Sequence, residues 1–280
     1  MVLLTYVIFG LTMGVAGVAI STITAQAVSV VLSLVVMTRI ELPFELSLKT
    51  VRIWKAETGS ILVTGIPLAL QDLLTNLSFI VINAVANKLG PDAALWPAIA
   101  AGYSVDNKIT TFMMILPSAF LQSMSVFVAQ NTGAGKLGRI RKGFGYMVPT
   151  TLGTGLLLAA LCFFGGSGLA RIFATDAATI YYAAEYLKGF AGDMLIGCLV
   201  LMMLGYFNGE GHSTFVMLQG LFSAFAVRIP VVLLSSSWEG VGLVHLGLGC
   251  AAATHSSLFL CAVYFLVLER RKRVEGLPKG

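Results

Sequence analysis

The chain has 280 residues, of which 57% are apolar and only 11% are charged, and its formal net charge is +5. Soluble domains average about 25% charged residues, so this composition excludes an ordinary soluble protein and predicts an all-α polytopic membrane protein. The basic residues lie beside apolar runs, where anionic lipid headgroups attract them. The positive charge therefore does not indicate a nucleic-acid partner.

Seven apolar runs are long enough to cross the bilayer, whose hydrocarbon core is about 30 Å thick. Residues 1–9 are also apolar, but they are too few to cross and lack the positive charge of a signal peptide. We interpret them as the tail of an earlier helix. The seven runs lie at 14–38, 60–87, 95–129, 144–164, 178–207, 213–235 and 243–267.

The distribution of lysine and arginine predicts the orientation of these spans. Thirteen of the eighteen basic residues fall in three clusters, at 39–55, 136–142 and 270–279. Strict alternation of the spans places all three clusters on one side of the membrane, and the opposite gaps hold only Lys88 and Arg171. Because cytoplasmic loops carry the excess of Lys and Arg, we expect a multi-pass protein of the cell membrane with a cytoplasmic C-terminus.

The first and last spans resemble each other at an offset of 232 positions, where Gly17 and Arg39 fall on Gly249 and Arg271. Such internal repetition is typical of transporters built from two lobes. We therefore expect the chain to be the C-terminal portion of a transporter whose N-terminal lobe is missing. The predicted regions are a remnant of that lobe at 1–39, an amphipathic cytoplasmic linker helix at 40–59, a six-helix lobe at 60–267 and a basic cytoplasmic tail at 268–280.

Short motifs along the chain resemble those of one transporter family. Taken in order and spacing, they are similar to the multidrug and toxic compound extrusion (MATE) family, from the end of its fifth helix through its twelfth. The motifs are GVAGVA at 14–19, GIP at 65–67, QNTGAGK at 130–136, GYFNGEG at 205–211 and RIP at 228–230.

The resemblance implies efflux of drugs or organic cations, by a mechanism of alternating access between two six-helix lobes. The small-molecule substrate would be a cationic amphipath, and its export would be coupled to uptake of H⁺ or Na⁺, with no other cofactor. Where sodium-coupled members of the family usually have a glutamate, this chain has Asn76. This difference from the family disfavours a sodium site at this position.

Polar side chains in the span from 60 form a stripe on one face. Asp72, Asn76 and Asn83 are spaced by four and seven residues, with Phe79 between them. Ionisable groups inside a bilayer are functional candidates by default. The stripe predicts either a cavity wall that contacts substrate or a coupling cation, or a hydrogen-bond network between helices.

The next span carries a second polar group. Tyr103 and Asn107 share a face, and Asp106 and Lys108 point about 160° apart on a straight helix. We therefore expect Asp106 and Lys108 to find separate partners on neighbouring helices. Tyr103, Asp106 and Asn107 are further candidates for binding substrate or the coupling ion.

Two later spans add one candidate each. Asp193 has no cation one turn away, so it is a candidate for exchanging a proton, whereas Glu185 and Lys188 are spaced to form a structural pair. His255 lies in the middle of the last span. It either relays a proton or contacts substrate, or it is a buried neutral histidine bonded to a backbone carbonyl.

Four residues are expected to shape or gate the helices. Three of them are Pro67, Pro117 and Pro230. Pro117 frees a backbone carbonyl within its span, which predicts either a hinge or a purely structural kink. Arg228 is expected to anchor an internal carboxylate or, alternatively, to bind substrate.

Other classes of function fit the sequence less well. A lipid-linked saccharide flippase of related architecture should line its cavity with several arginines, and Arg228 alone is available. The motif at 130–136 lacks the first glycine and the Ser or Thr of a phosphate-binding loop, and no HExxH pair is present, so we expect no enzyme and no metal site. The four cysteines all lie in apolar spans and are expected in the core. An inactive truncated product remains the third alternative.

Overall fold

A computed structural model describes residues 14–39, 55–86, 95–236 and 243–274. The chain divides into two compact units, residues 1–58 and 59–280. The described residues contain no strand, and seven of their helical segments are long and apolar enough to cross a membrane. The predicted all-α polytopic fold and the number of spans are therefore confirmed.

The helices follow the predicted spans and extend several of them. The span predicted at 144–164 is a helix of 35 residues. Residues 40–54 of the predicted linker helix and residues 1–9 lie outside the described residues. The helices are α1 Gly14–Arg39, α2 Lys55–Ala86, α3 Trp96–Met113, α4 Ile115–Gly133, α5 Leu137–Arg171, α6 Ala177–Gly209, α7 Ser213–Leu221, a π-helical segment Phe222–Arg228, α8 Ile229–Ser236 and α9 Leu243–Val274.

Helix α6 is the central element of the unit 59–280. It is buried over most of its length and packs against α3, α4, α5 and α9. Helices in a membrane approach closely where small residues meet. A Cβ atom added at Gly209 would lie 2.6 Å from the carbonyl oxygen of Ser125 on α4, and one added at Gly205 would overlap the carbonyl oxygen of Leu121. The glycines of the GYFNGEG motif thus set the distance between α6 and α4.

The motifs QNTGAGK and GYFNGEG end their helices with the same turn. The N–H of Lys136 donates to the carbonyl of Asn131, and the N–H of His212 donates to the carbonyl of Phe207, both at 2.8 Å. In this type of helix end, the residue before the last donor adopts a positive φ, which favours glycine. Gly135 and Gly211 hold these positions, with φ of 68° and 86°.

Proline residues explain two irregular stretches. Helix α3 ends at Met113 and α4 begins at Ile115, so the span breaks three residues before Pro117, which cannot donate a hydrogen bond to the carbonyl of Met113. The π-helical segment Phe222–Arg228 directly precedes Ile229 and Pro230. The expected irregularity at Pro117 is present, whereas Pro67 lies inside the continuous helix α2.

Contacts between distant residues join the helices at the end of the unit that carries the two glycine turns. The rings of Phe215 on α7 and Tyr264 on α9 stack with their centroids 3.7 Å apart. The guanidinium of Arg141 on α5 pairs with the carboxylate of Glu269 on α9 at 2.8 Å. These contacts hold α5 and α7 against the C-terminal part of α9.

Candidate functional site

The polar stripe on α2 is exposed along its length. Asp72, Asn76 and Asn83 are all exposed, while Ser78 and Ile82 on the adjoining face are buried. The Asn76 amide donates to the backbone carbonyl of Asp72 at 2.9 Å. No residue of another helix in the described part of the chain forms a hydrogen bond with these three side chains, so the described residues do not contain the alternative network between helices. A carboxylate exposed in a membrane span needs water or another protein surface beside it.

Arg228, at the end of the π-helical segment, binds the adjoining face of α2. Its Nη1 donates to the hydroxyl of Ser78 at 3.0 Å, and its guanidinium carbon lies 4.5 Å from the ring centroid of Phe79. The expected ion pair with a carboxylate is not formed with any described residue. The hydroxyl and the aromatic face hold Arg228 instead.

Asp193 is the central residue of α6, and its side chain is only 4% exposed. The Thr254 hydroxyl on α9 donates a hydrogen bond to its Oδ1. This contact depends on close approach of α6 and α9, because a Cβ added at Gly247 would lie 2.6 Å from the carbonyl oxygen of Tyr186. A buried carboxylate is thus held between two helices by a single hydroxyl donor.

His255 forms the predicted hydrogen bond to a backbone carbonyl but is not buried. Its Nδ1 lies 2.7 Å from the carbonyl oxygen of Ala251, one turn earlier on α9, and the residue as a whole is exposed. A carbonyl only accepts, so Nδ1 carries the hydrogen. His255 directly follows Thr254, the donor to Asp193. The imidazole is therefore accessible from the exterior of the described unit, and its role in proton relay or substrate binding stays a prediction.

A second buried carboxylate lies on α3. Asp106 is 1% exposed and Tyr103, one turn earlier, is 2% exposed. The ring of Tyr103 meets the ring of Tyr186 on α6 edge to face, with centroids 5.2 Å apart. The Tyr186 hydroxyl lies 3.4 Å from the thiol of Cys250 on α9. Polar groups from three helices thus meet around Tyr186.

The polar residues of α3 point in different directions. Asp106 and Lys108 point apart as predicted, one buried and one exposed, and neither forms an ion pair with a described residue. Asn107 is exposed, and its amide donates to the backbone carbonyl of Tyr103 at 3.1 Å. The polar groups of α3 therefore divide between a buried face and an exposed face.

The expected pair on α6 is wrong, because Glu185 and Lys188 form no ion pair although both lie in the described part of the chain. The four cysteines are buried and free, as predicted.

Sequence reasoning missed the residues that complete these contacts. Four residues that take part in these contacts were not predicted as site residues: Ser78, Tyr186, Cys250 and Thr254. The run Thr254-His255-Ser256-Ser257 inside an apolar helix is a signal that could have identified Thr254. No comparable signal marks Tyr186 or Cys250, whose contact joins residues far apart in the chain.

Known proteins similar to this chain share its class. Two multidrug resistance proteins of Bacillus subtilis, both described as probable, align with it. YoeA is 21% identical over 269 residues, which cover 95% of this chain and 57% of YoeA. YpnP is 25% identical over 238 residues, which cover 85% of this chain and 52% of YpnP. The chain therefore spans about half the length of these relatives.

Solved structures share the fold at low sequence identity. A structure of MATE in complex with MaL6 has a TM-score of 0.82 and 14% identity, over 96% of this chain and 60% of that one. An inward-facing multidrug resistance MATE family transporter of the MOP superfamily has a TM-score of 0.66 and 14% identity, over 98% and 62%. The MatE family model matches residues 67–234. The chain belongs to the MatE family.

Proposed function

We propose that this chain forms one six-helix lobe, residues 60–267, of a secondary-active exporter of cationic amphipathic compounds. Membership of the MatE family supports a transporter over an enzyme. The names of the Bacillus subtilis relatives, both multidrug resistance proteins, support drug-like substrates. Export would proceed by alternating access, with substrate leaving as a coupling cation enters.

The exposed stripe on α2 is the observation that carries this proposal. Asp72, Asn76 and Asn83 lie on one face of a membrane span with no hydrogen-bond partner from another described helix. Facing lipid, such a stripe would be costly, so we infer that it faces a water-filled cavity. The Asp72 carboxylate would attract a cation there, and the amides would bind its polar groups.

The coupling ion that best fits Asp193 is a proton. Among the described side chains, the Thr254 hydroxyl alone forms a hydrogen bond with its carboxylate. A hard metal cation is held by several oxygen ligands, whereas a proton needs only one. Asn76, in place of the glutamate of sodium-coupled members, also favours H⁺.

Alternating access around a central cavity requires a second lobe opposite the first. We infer that residues 1–39 are the end of that lobe and that residues 40–59 connect it to the lobe at 60–267. The inference is supported by the share of the relatives that this chain spans, 57% of YoeA and 52% of YpnP.

Accumulation of a fluorescent cationic dye tests this function. We expect cells that express the intact two-lobe transporter to accumulate less dye than control cells, and cells that express the 280-residue chain alone to accumulate as much as controls. Equal accumulation with the intact transporter would reject drug export. Export by the purified chain alone, in liposomes with an imposed ion gradient, would reject the requirement for a second lobe.

A further inference from the structure

Arg228 is a cation inside a membrane span that forms no ion pair with a described residue. Its Nη1 donates to the Ser78 hydroxyl at 3.0 Å, and its Nε is buried without a hydrogen-bond partner in the described part of the chain. A charge without a partner is costly inside a bilayer, and such groups are functional candidates by default. Arg228 therefore needs an anion from beyond the described residues.

The position of Arg228 does not suit a lipid headgroup as that anion. Arg228 lies in the interior of the span Ser213–Ser236, about two helical turns from the nearer end. Arginines near the end of a span reach the headgroups by extending outward along the helix. The guanidinium of Arg228 instead lies over the ring of Phe79 on α2, 4.5 Å from its centroid. The anion is therefore expected on the side of α2.

Arg228 contacts the same face of α2 that carries the exposed polar stripe. Phe79 lies seven residues after Asp72 and three after Asn76, and these spacings place all three on one face of the helix. Asp72 and Asn76 are exposed, while Phe79 and Arg228 are each partly exposed. The face of α2 that we assign to the cavity thus presents a carboxylate and a guanidinium together.

The two charges on this face are too far apart to neutralise each other. Seven residues of α-helix rise about 10 Å, and Asp72 and Arg228, both in the described part of the chain, form no ion pair. The exposed amide of Asn76 lies between them along the helix. One molecule with an ammonium at one end and an anionic group at the other could bind both charges.

The chemistry of the guanidinium favours a carboxylate as the anionic group. The planar fork of N–H donors matches the two oxygens of a carboxylate, and such pairs are frequently bidentate. Ser78 accepts from Nη1, and the other N–H groups of Arg228 form no hydrogen bond with the described residues. Contact with an aromatic face also fixes the orientation of the guanidinium. A carboxylate would supply both the missing charge and the missing acceptors.

We propose that Arg228 is an anion-binding subsite of the α2 stripe, which takes the carboxylate of a substrate whose ammonium group lies at Asp72. This inference rests on the proposed export function and adds an acidic group to the cationic substrate. The carboxylate compensates the charge of Arg228, so a substrate that carries both groups binds more tightly than one that carries the ammonium alone.

A matched pair of fluorescent dyes tests the subsite by binding alone. One is a xanthene dye with a cationic amine and a free carboxylate, and the other is its methyl ester, which keeps the cation and the rings. Fluorescence polarisation would be measured with the intact two-lobe transporter in nanodiscs. Hydrogen bonds to charged groups correspond to about ten- to a hundredfold in affinity, so we expect the free acid to bind more tightly by that factor. Equal affinities would overturn the proposal, because an acid of the second lobe or no anion at all would then occupy Arg228.

Variants of Arg228 test which residue causes the preference. Arg228→Gln should lower the affinity for the free acid to that for the ester, and Arg228→Lys, which keeps the charge without the planar fork, should retain part of the preference. Arg171→Gln, the same change at the exposed end of α5, is the matched control and should retain all of it. A preference that survives Arg228→Gln, or an equal loss of both dyes in Arg228→Gln and Arg228→Lys, would contradict the assignment. Dye binding as expected without any export would reject the proposed function and leave the carboxylate subsite supported.

Discussion

The Thr254 hydroxyl on α9 donates a hydrogen bond to the Asp193 carboxylate at the middle of α6. Hydrogen bonds to charged groups contribute about 1.5–3 kcal/mol, so losing this one should reduce the rate of transport that depends on Asp193 roughly ten- to a hundredfold. We expect Thr254→Val, which keeps the shape but removes the hydroxyl, to reduce proton-driven dye export in proteoliposomes by that factor. Thr254→Ser keeps the donor and should retain most of the rate. Equal rates for the two variants would show that the hydroxyl is not needed.

Replacing Asp72 by asparagine should change substrate preference more than overall activity. The carboxylate is exposed, and exposed charge pairs contribute only about 0–1 kcal/mol, so we expect a few-fold loss in affinity for cationic dyes. Neutral substrates should be unaffected, and Asp72→Glu should restore cation binding. Inhibition constants measured for a cationic and a neutral compound distinguish these cases. Equal losses for both compounds would mean that Asp72 supports the structure and does not attract charge.

A methyl group at Gly205 should destabilise the lobe. The added Cβ would overlap the carbonyl oxygen of Leu121 on α4, and overpacking of this kind costs about 1–3 kcal/mol. Gly153→Ala on α5 is the matched control, because nothing lies within 4 Å of its added Cβ. Thermal unfolding in detergent should give a lower midpoint for Gly205→Ala only. Equal midpoints would show that α6 and α4 separate easily.

The N-terminus of α6 should make stability depend on pH. The Thr179 backbone N–H and hydroxyl donate to the Asp176 carboxylate at 2.9 and 3.0 Å and hold the pKa of Asp176 below its usual range. A lowered folded-state pKa gives stability that is present above the unfolded pKa of about 3.9 and lost as pH falls through the folded value. We expect Asp176→Ala to lower the unfolding temperature at pH 7, and the difference from wild type to shrink at pH 3.

Asparagine also caps helices but does not titrate, so it separates the charge from the cap. Asp176→Asn should keep much of the stability at pH 7 and lose the dependence on acid pH. If Asp176→Ala and the wild type differ equally at both pH values, the stabilisation does not come from the ionised carboxylate.

Hydrophobic run lengths and helical spacing were sufficient to predict the class of fold, the seven spans and the shared face of Asp72 and Asn76. Helical spacing also predicted correctly that the side chains of Asp106 and Lys108 point in different directions. These properties depend on a single helix and on the cost of polar groups in hydrocarbon. They follow from local sequence without knowledge of the neighbours.

Partners across helices could not be predicted in the same way. Glu185 and Lys188 form no ion pair despite their spacing, and Arg228 binds Ser78 and Phe79 without pairing with a described carboxylate. Helical spacing tells which residues share a face, but the close approaches at glycines decide which faces meet. The bond between Thr254 and Asp193 is of this kind, since it joins helices that are separated by α7, the π-helical segment and α8.

The most direct test of the account is proton movement driven by substrate in the intact transporter. Proteoliposomes that contain a pH-sensitive dye in the lumen would be exposed to a cationic substrate, with no imposed gradient. We predict that substrate entering the lumen drives protons out, so that the lumen becomes more alkaline, and that Asp193→Asn abolishes this response. Substrate movement in the wild type with no change in lumenal pH would contradict proton exchange at Asp193.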